Sequence, residues 1–186
     1  MKEGSALRAA RVIIGTTASA VVVGTALPVV FWLVARNLDR VFGLPTTPIS
    51  PPIARILTGA SWSVGLFWVL WSYSYLIFVG GGSPVEAFGV ALEPTRRLVT
   101  TGPYAYVRNP MIFGVLFILL GVAFLADSVS GLVLVPVGGA AAAAYLRLFE
   151  EKGLVTRFGT AYEHYREHVP MLIPRRSPYL PPEGED

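Results

Sequence analysis

Residues 110–151 read PMIFGVLFILLGVAFLADSVSGLVLVPVGGAAAAAYLRLFEE. Met111 to Ala126 is an apolar run of 16 residues, Val129 to Leu146 is a second, and only Asp127 and Ser128 separate them. Two apolar runs of helical length joined by two polar residues predict a tight helical hairpin. Pro110 suits the first turn of the leading helix, where its missing N–H costs nothing. Pro136, Gly138 and Gly139 fall inside the second helix and predict a kink or a close helix contact.

Outward from the hairpin the same signal repeats. Val12 to Val34 holds 23 residues and Ile56 to Val79 holds 24, neither with a charge. At about 1.5 Å per residue each reaches roughly 35 Å, enough for a hydrocarbon core of about 30 Å. Ala18-Ser19-Ala20 is a small-residue triplet behind a basic N-terminus, but the first run continues well beyond a signal-peptide core and is read as a retained span. Between the first two spans Ala35 to Arg55 carries Pro45, Pro48, Pro51 and Pro52, which predicts an extended connection with little helix. The expected fold is an all-α membrane protein of one domain, residues 1–186. Its four transmembrane helices lie at about 12–34, 56–79, 111–126 and 129–149, the last two forming the hairpin, followed by a cytosolic C-terminal helix and an extended tail.

Composition agrees: 53% of the 186 residues are hydrophobic and 15% charged, with a mean hydropathy of +0.57, against about 25% charged in soluble domains. The absence of cysteine excludes disulfides, thiolate nucleophiles and zinc–thiolate sites. With only His164 and His168, no metal is expected. A net charge of +3 gives no reason to expect a nucleic-acid partner.

The distribution of that charge says more. Four spans put the N-terminus, the second connection and the C-terminal region on one face, together with twelve of the fifteen Lys and Arg residues; Arg36, Arg40 and Arg55 lie on the other. The positive-inside rule makes the twelve-residue face cytoplasmic, as expected of a multi-pass protein of the inner or plasma membrane with both termini in the cytoplasm.

Three segments on that face can carry chemistry. In Arg96–Pro110, Tyr104, Tyr106, Arg108 and Asn109 crowd a helix start whose free N–H groups favour anions, although basic and aromatic residues also anchor helix ends to headgroups. In Arg147–Glu151, two adjacent carboxylates at a helix C-terminus oppose the macrodipole and invite a cation, either a ligand or Arg108 or Arg147. In Phe158–His168, Phe158, Tyr162 and Tyr165 share a helical face. The proline-bracketed Val169–Pro174 then runs extended beside them and offers one wall of a flat slot. His164 and His168 are at a metal-compatible spacing without a further ligand motif.

Taken in order, Gly-Pro-Tyr-x-Tyr-Val-Arg-Asn-Pro at 102–110, the hairpin, Glu150-Glu151, Phe-Gly-x-x-Tyr-x-x-Tyr at 158–165 and Val-Pro-x-x-Ile-Pro at 169–174 resemble the isoprenylcysteine carboxyl methyltransferases and their relatives, the phospholipid methyltransferases. The resemblance covers Arg96 to Pro174. It implies an integral membrane enzyme that transfers a methyl group from S-adenosylmethionine to a lipophilic or small-molecule acceptor drawn from the bilayer, with residues 96–174 as the cofactor-binding core. By matched position, Arg96, Leu98, Val99 and Tyr104 would line the adenosine region. The stretch around Tyr106, Arg108, Asn109, Pro110, Met111 and Ile112 would reach the cofactor, with Glu150 and Glu151. Tyr162, Tyr165, Ile173 and Pro174 would close over it. Arg108, Asn109 and Arg147 are the residues expected to act in catalysis.

Two positions depart from the family pattern: Asn109 stands for a histidine and Ile112 for a tyrosine. Asparagine donates and accepts hydrogen bonds but cannot titrate. Two other functions fit the same scaffold, a sterol-reductase-like enzyme using NADPH and a non-catalytic membrane assembly factor.

Overall fold

In a computed structural model, residues 2–81, 86–87, 90–91, 95 and 97–180 are described. They are helical apart from connecting segments and a two-residue antiparallel pairing of β1 (Glu86–Ala87) with β2 (Val90–Ala91). The helices are α1 (Lys2–Val21), α2 (Leu27–Val41), α3 (Pro51–Phe78), α4 (Pro110–Leu125), α5 (Val129–Tyr145), α6 (Glu151–Phe158) and α7 (Thr160–His168).

Three stretches are long and apolar enough to cross a membrane, Ile13–Val41, Pro51–Phe78 and Val129–Phe158. Helix α4 has 16 residues and at 1.5 Å per residue reaches about 24 Å, short of a full crossing.

The first helix runs well past 34. Pro28 cannot donate a hydrogen bond to the preceding turn, and the π-turn Val22–Ala26 just before it absorbs the defect without ending the helix. Pro51 and Pro52 do not extend the connection as expected but begin α3, where fixed φ favours the first helical turn. Pro136 sits inside α5, and the change of helix type comes later, at the π-turn Leu146–Glu150. Gly139 provides the close contact, lying against the Leu116 side chain. The fourth rod also continues beyond 149, because Leu154, Val155 and Phe158 pack against buried Tyr162, Tyr165 and Val169. It stops at Gly159, with φ +55°, so the separate C-terminal helix begins at Thr160.

Helices α3 and α4 approach most closely. Cβ atoms added at Gly65 and Gly114 would each come within 2.7 Å of the facing glycine's carbonyl oxygen. Backbones meet there because neither residue has a side chain. Further along, Trp62 Nε1 donates to Ile118 O at 3.2 Å beside Gly121, and Val69, Tyr73 and Ile118 form a buried cluster. At the hairpin tip Ser128 accepts from Gly131 N, and Asp127 takes φ +49°. The first connection ties this tip down. Arg36 donates to Ala126 O, Thr47 donates to Asp127 through both backbone and hydroxyl, and Asp39 accepts from Ser130 N. The opposite end of the bundle carries the cavity.

Candidate active site

The 3₁₀ turn Gly102–Ala105 starts the site. Gly102 has φ +60° and rests on the Tyr75 ring, where a Cβ would lie 2.3 Å from Cε1, so only glycine satisfies both demands. The turn aims Tyr104 inward. Its hydroxyl bonds Ser72 Oγ at 2.8 Å, and its carbonyl accepts from the Tyr165 hydroxyl at 2.7 Å.

Arg108 pairs with Glu151 and donates to the Tyr162 hydroxyl at 3.3 Å. A second arginine, Arg166, reaches Glu151 at 3.9 Å. Arg108 Nε is buried and has no hydrogen-bond partner. The π-turn Leu146–Glu150 inserts one residue midway along the fourth rod, between α5 and α6. Glu150 thereby lines the cavity while its neighbour Glu151 is buried beneath Arg108.

The tail braces the segment that leads into the cavity. Arg108 N and Asn109 N donate to Pro170 O and Met171 O, and Asn109 Nδ2 adds a second bond to Met171 O at 3.2 Å. Farther on, Arg175 N donates to Tyr106 O and Tyr179 N to Ala105 O. Tyr179 is buried against Tyr165, and its hydroxyl meets His164 Nδ1 at 3.1 Å.

These elements enclose a cavity of about 240 Å³. Leu98, Val99, Tyr104, Tyr162 and Tyr165 line one part, and Arg108, Asn109, Pro110, Met111, Ile112 and Glu150 another. Five further residues line it without having been anticipated: Leu76, Thr95, Tyr145, Leu154 and Phe158. Leu154 and Phe158 carried a usable signal, since they stand four apart on a helix leading into the tyrosines. Tyr145 follows an alanine run that gives no hint of a site.

Several expected residues lie elsewhere. Arg147 is exposed and does not line the cavity. Ile173 points outward at 78% exposure, and Pro174 is half-buried outside the cavity. Tyr106 stacks on Trp71 at 6.0 Å and contributes its carbonyl to the tail. Arg96 lies outside the described residues. The described residues contain no group of three or more His, Cys, Asp or Glu that could hold a metal.

Burial pushes the Tyr104 hydroxyl above its ordinary range, and it pushes Tyr165 well above, helped by Tyr104 beside it. Tyr162 is raised by burial and then by Glu151. All three stay neutral donors near neutral pH, and Asn109 does not titrate. Glu150 is the one carboxylate among the described lining residues.

The chain is 29% identical over 143 residues to methanethiol S-methyltransferase 2 of Bradyrhizobium diazoefficiens, covering 69% of this chain and 52% of that one. It is 29% identical over 147 residues to methanethiol S-methyltransferase of Pseudomonas sp., covering 70% and 53%. The chain therefore spans about half the length of the curated relatives it matches. The phospholipid methyltransferase family profile matches residues 53–161, from the start of α3 through the hairpin to α7, and the chain belongs to that family.

Proposed function

We propose that the protein is a membrane methyltransferase that uses S-adenosylmethionine to methylate a small lipophilic acceptor, a small thiol first among them. The observation that carries this reading is one cavity whose lining combines aromatic and aliphatic side chains with Arg108 and Glu150. The cofactor joins an adenosine to a charged amino-acid end and needs both kinds of partner. The buried, unpartnered Arg108 Nε supplies a donor for its carboxylate, and Glu150 an acceptor for its ammonium.

When bound, S-adenosylmethionine supplies a methyl group activated by the positive sulfur. Leu98, Val99 and Tyr104 hold the adenosine, and Asn109 keeps the tail seated. Tyr162 and Tyr165 exclude water from the reacting groups. Because the leaving group is neutral, alignment is the main task left to the protein. A thiol enters as its thiolate, which needs no general base. Arg147, Ile173 and Pro174 have no part in this site.

The named activity of the two relatives favours a small acceptor over a bulky lipid. The topology we propose has four passes, α4 making the short one, with the cavity and both termini on the cytoplasmic face that holds most of the basic residues. Residues 96–174 form the cofactor core.

Calorimetry on detergent-purified protein should detect S-adenosylhomocysteine, and labelled methyl should pass to methanethiol in preference to phosphatidylethanolamine. Absence of binding by folded protein overturns the cofactor assignment. Transfer to the phospholipid alone overturns the acceptor assignment.

A further inference from the structure

Ile173 and Leu180 are 78% and 81% exposed, comparable with the flanks of the apolar helix α3, where Ile56 is 70% and Phe78 84% exposed. Yet they sit on the tail, which is fastened in place. Its carbonyls at Pro170 and Met171 accept from Arg108 N and Asn109 N, and Asn109 immediately precedes the first residue of apolar α4. The tail is therefore bonded to the residues that lead directly into apolar α4, an end that stands at headgroup level in the topology proposed above.

The segment has two faces. Val169, Met171 and Tyr179 are buried toward the protein, while Ile173, Arg176 and Leu180 face out. Arg175 and Arg176 stand between the two exposed aliphatic residues, and residues 169–180 contain no acidic side chain. Arg175 also donates to His168 O at 3.1 Å, which holds it at the edge of the strap. Aliphatic side chains flanking a pair of guanidinium groups at headgroup depth complement an anionic bilayer surface. The apolar groups enter the acyl boundary and the arginines meet phosphate oxygens.

We propose that residues 169–180 form a lipid-binding strap whose outer face takes anionic phospholipid headgroups. Its inner face is bonded to the segment 105–109, of which Arg108 and Asn109 line the cavity. Headgroup binding on one side thus favours the seated position on the other, and the lipid surface becomes part of what holds Arg108 and Asn109 in place. This rests on the geometry of the tail and not on the identity of the reaction.

The chain has no cysteine, so single-site variants Ile173→Cys, Leu180→Cys and, as a solvent control, the exposed Glu163→Cys accept one environment-sensitive fluorophore each. The variants are reconstituted in phosphatidylcholine alone and in phosphatidylcholine mixed with phosphatidylglycerol. Labels at 173 and 180 should shift to blue emission and resist aqueous iodide in the mixed bilayer, unlike the label at 163. In an Arg175→Gln/Arg176→Gln background, half-maximal shift should need about fivefold more anionic lipid per arginine removed. Emission and quenching at 173 and 180 matching those at 163 in both bilayers would overturn the strap. An equal shift in both bilayers, indifferent to the arginines, overturns the assignment of anionic lipid.

Discussion

Replacing Arg108 by methionine tests whether the ion pair beside the cavity is there for stability or for ligand binding. The Arg108 and Glu151 side chains are only 10% and 11% exposed, so losing the arginine strands a buried carboxylate, a defect that costs about 3–5 kcal/mol. Arg166 at 3.9 Å is 40% exposed and compensates in part, placing the expected loss near the lower limit, about 3 kcal/mol. For a chain of this length that is a fall of about 6–12 °C in Tm. Glu151→Leu should lose a similar amount, because among the described residues Arg108 keeps only the long contact to Tyr162. The double variant Arg108→Met/Glu151→Leu removes both charges and should be more stable than either single one, with a coupling of about 2 kcal/mol or more. Thermal unfolding in detergent measures all four proteins, and calorimetry measures S-adenosylhomocysteine binding. Binding should stay absent in the double variant although stability returns. A double variant that loses the sum of the single losses would refute the reasoning, and one that regains binding would remove Arg108 from the cofactor site.

Glu150→Gln, which keeps shape and removes charge, should weaken S-adenosylhomocysteine binding by about tenfold or more, as loss of a charged hydrogen bond implies. Gly114→Ala should cost about 1–3 kcal/mol in thermal unfolding, since its Cβ would press on Gly65 O and Val69. Gly138→Ala, with open space around it, should cost nothing. Tyr104, Tyr162 and Tyr165 hold their protons above the ordinary tyrosine value of about 10. The folded form therefore binds more protons than the unfolded chain above that pH, so their contribution is intact below about pH 10 and is lost as pH rises through the folded-state values. Alkaline melting followed by tyrosinate absorbance should show this loss, and it should shrink in Tyr104→Phe if that group contributes.

The apolar rods were legible because hydropathy needs no partner to be seen. Their ends were harder. Pro28, Pro51 and Pro52 act as breakers or starters according to where the previous turn stands, which depends on neighbours that a linear pattern omits. The motif residues from Leu98 to Ile112, with Glu150, Tyr162 and Tyr165, do gather at one cavity, because each lies at or beside a helix end where spacing is informative. The roles of Glu151 and Arg147 were not separable in sequence. A single inserted residue in the π-turn decides which side chain meets Arg108, and no local signal marks that insertion. Ile173 lies outside the cavity because the chain bends at 171–173, which breaks the alternation that buries Val169 and Met171, and no local signal marks that bend.

The contacts of Arg36, Asp39 and Thr47 around the hairpin tip make the bundle resemble tongs gripped at one end. A 16-residue α4 is a lever of about 24 Å, so a tilt of roughly 5° at the gripped end moves its other end by about 2 Å. A movement of that size would part Gly114 from Gly65 and pull Asn109 from Met171, so the glycine contact and the tail set the width of the cavity at one end of α4 as the tip contacts fix the other.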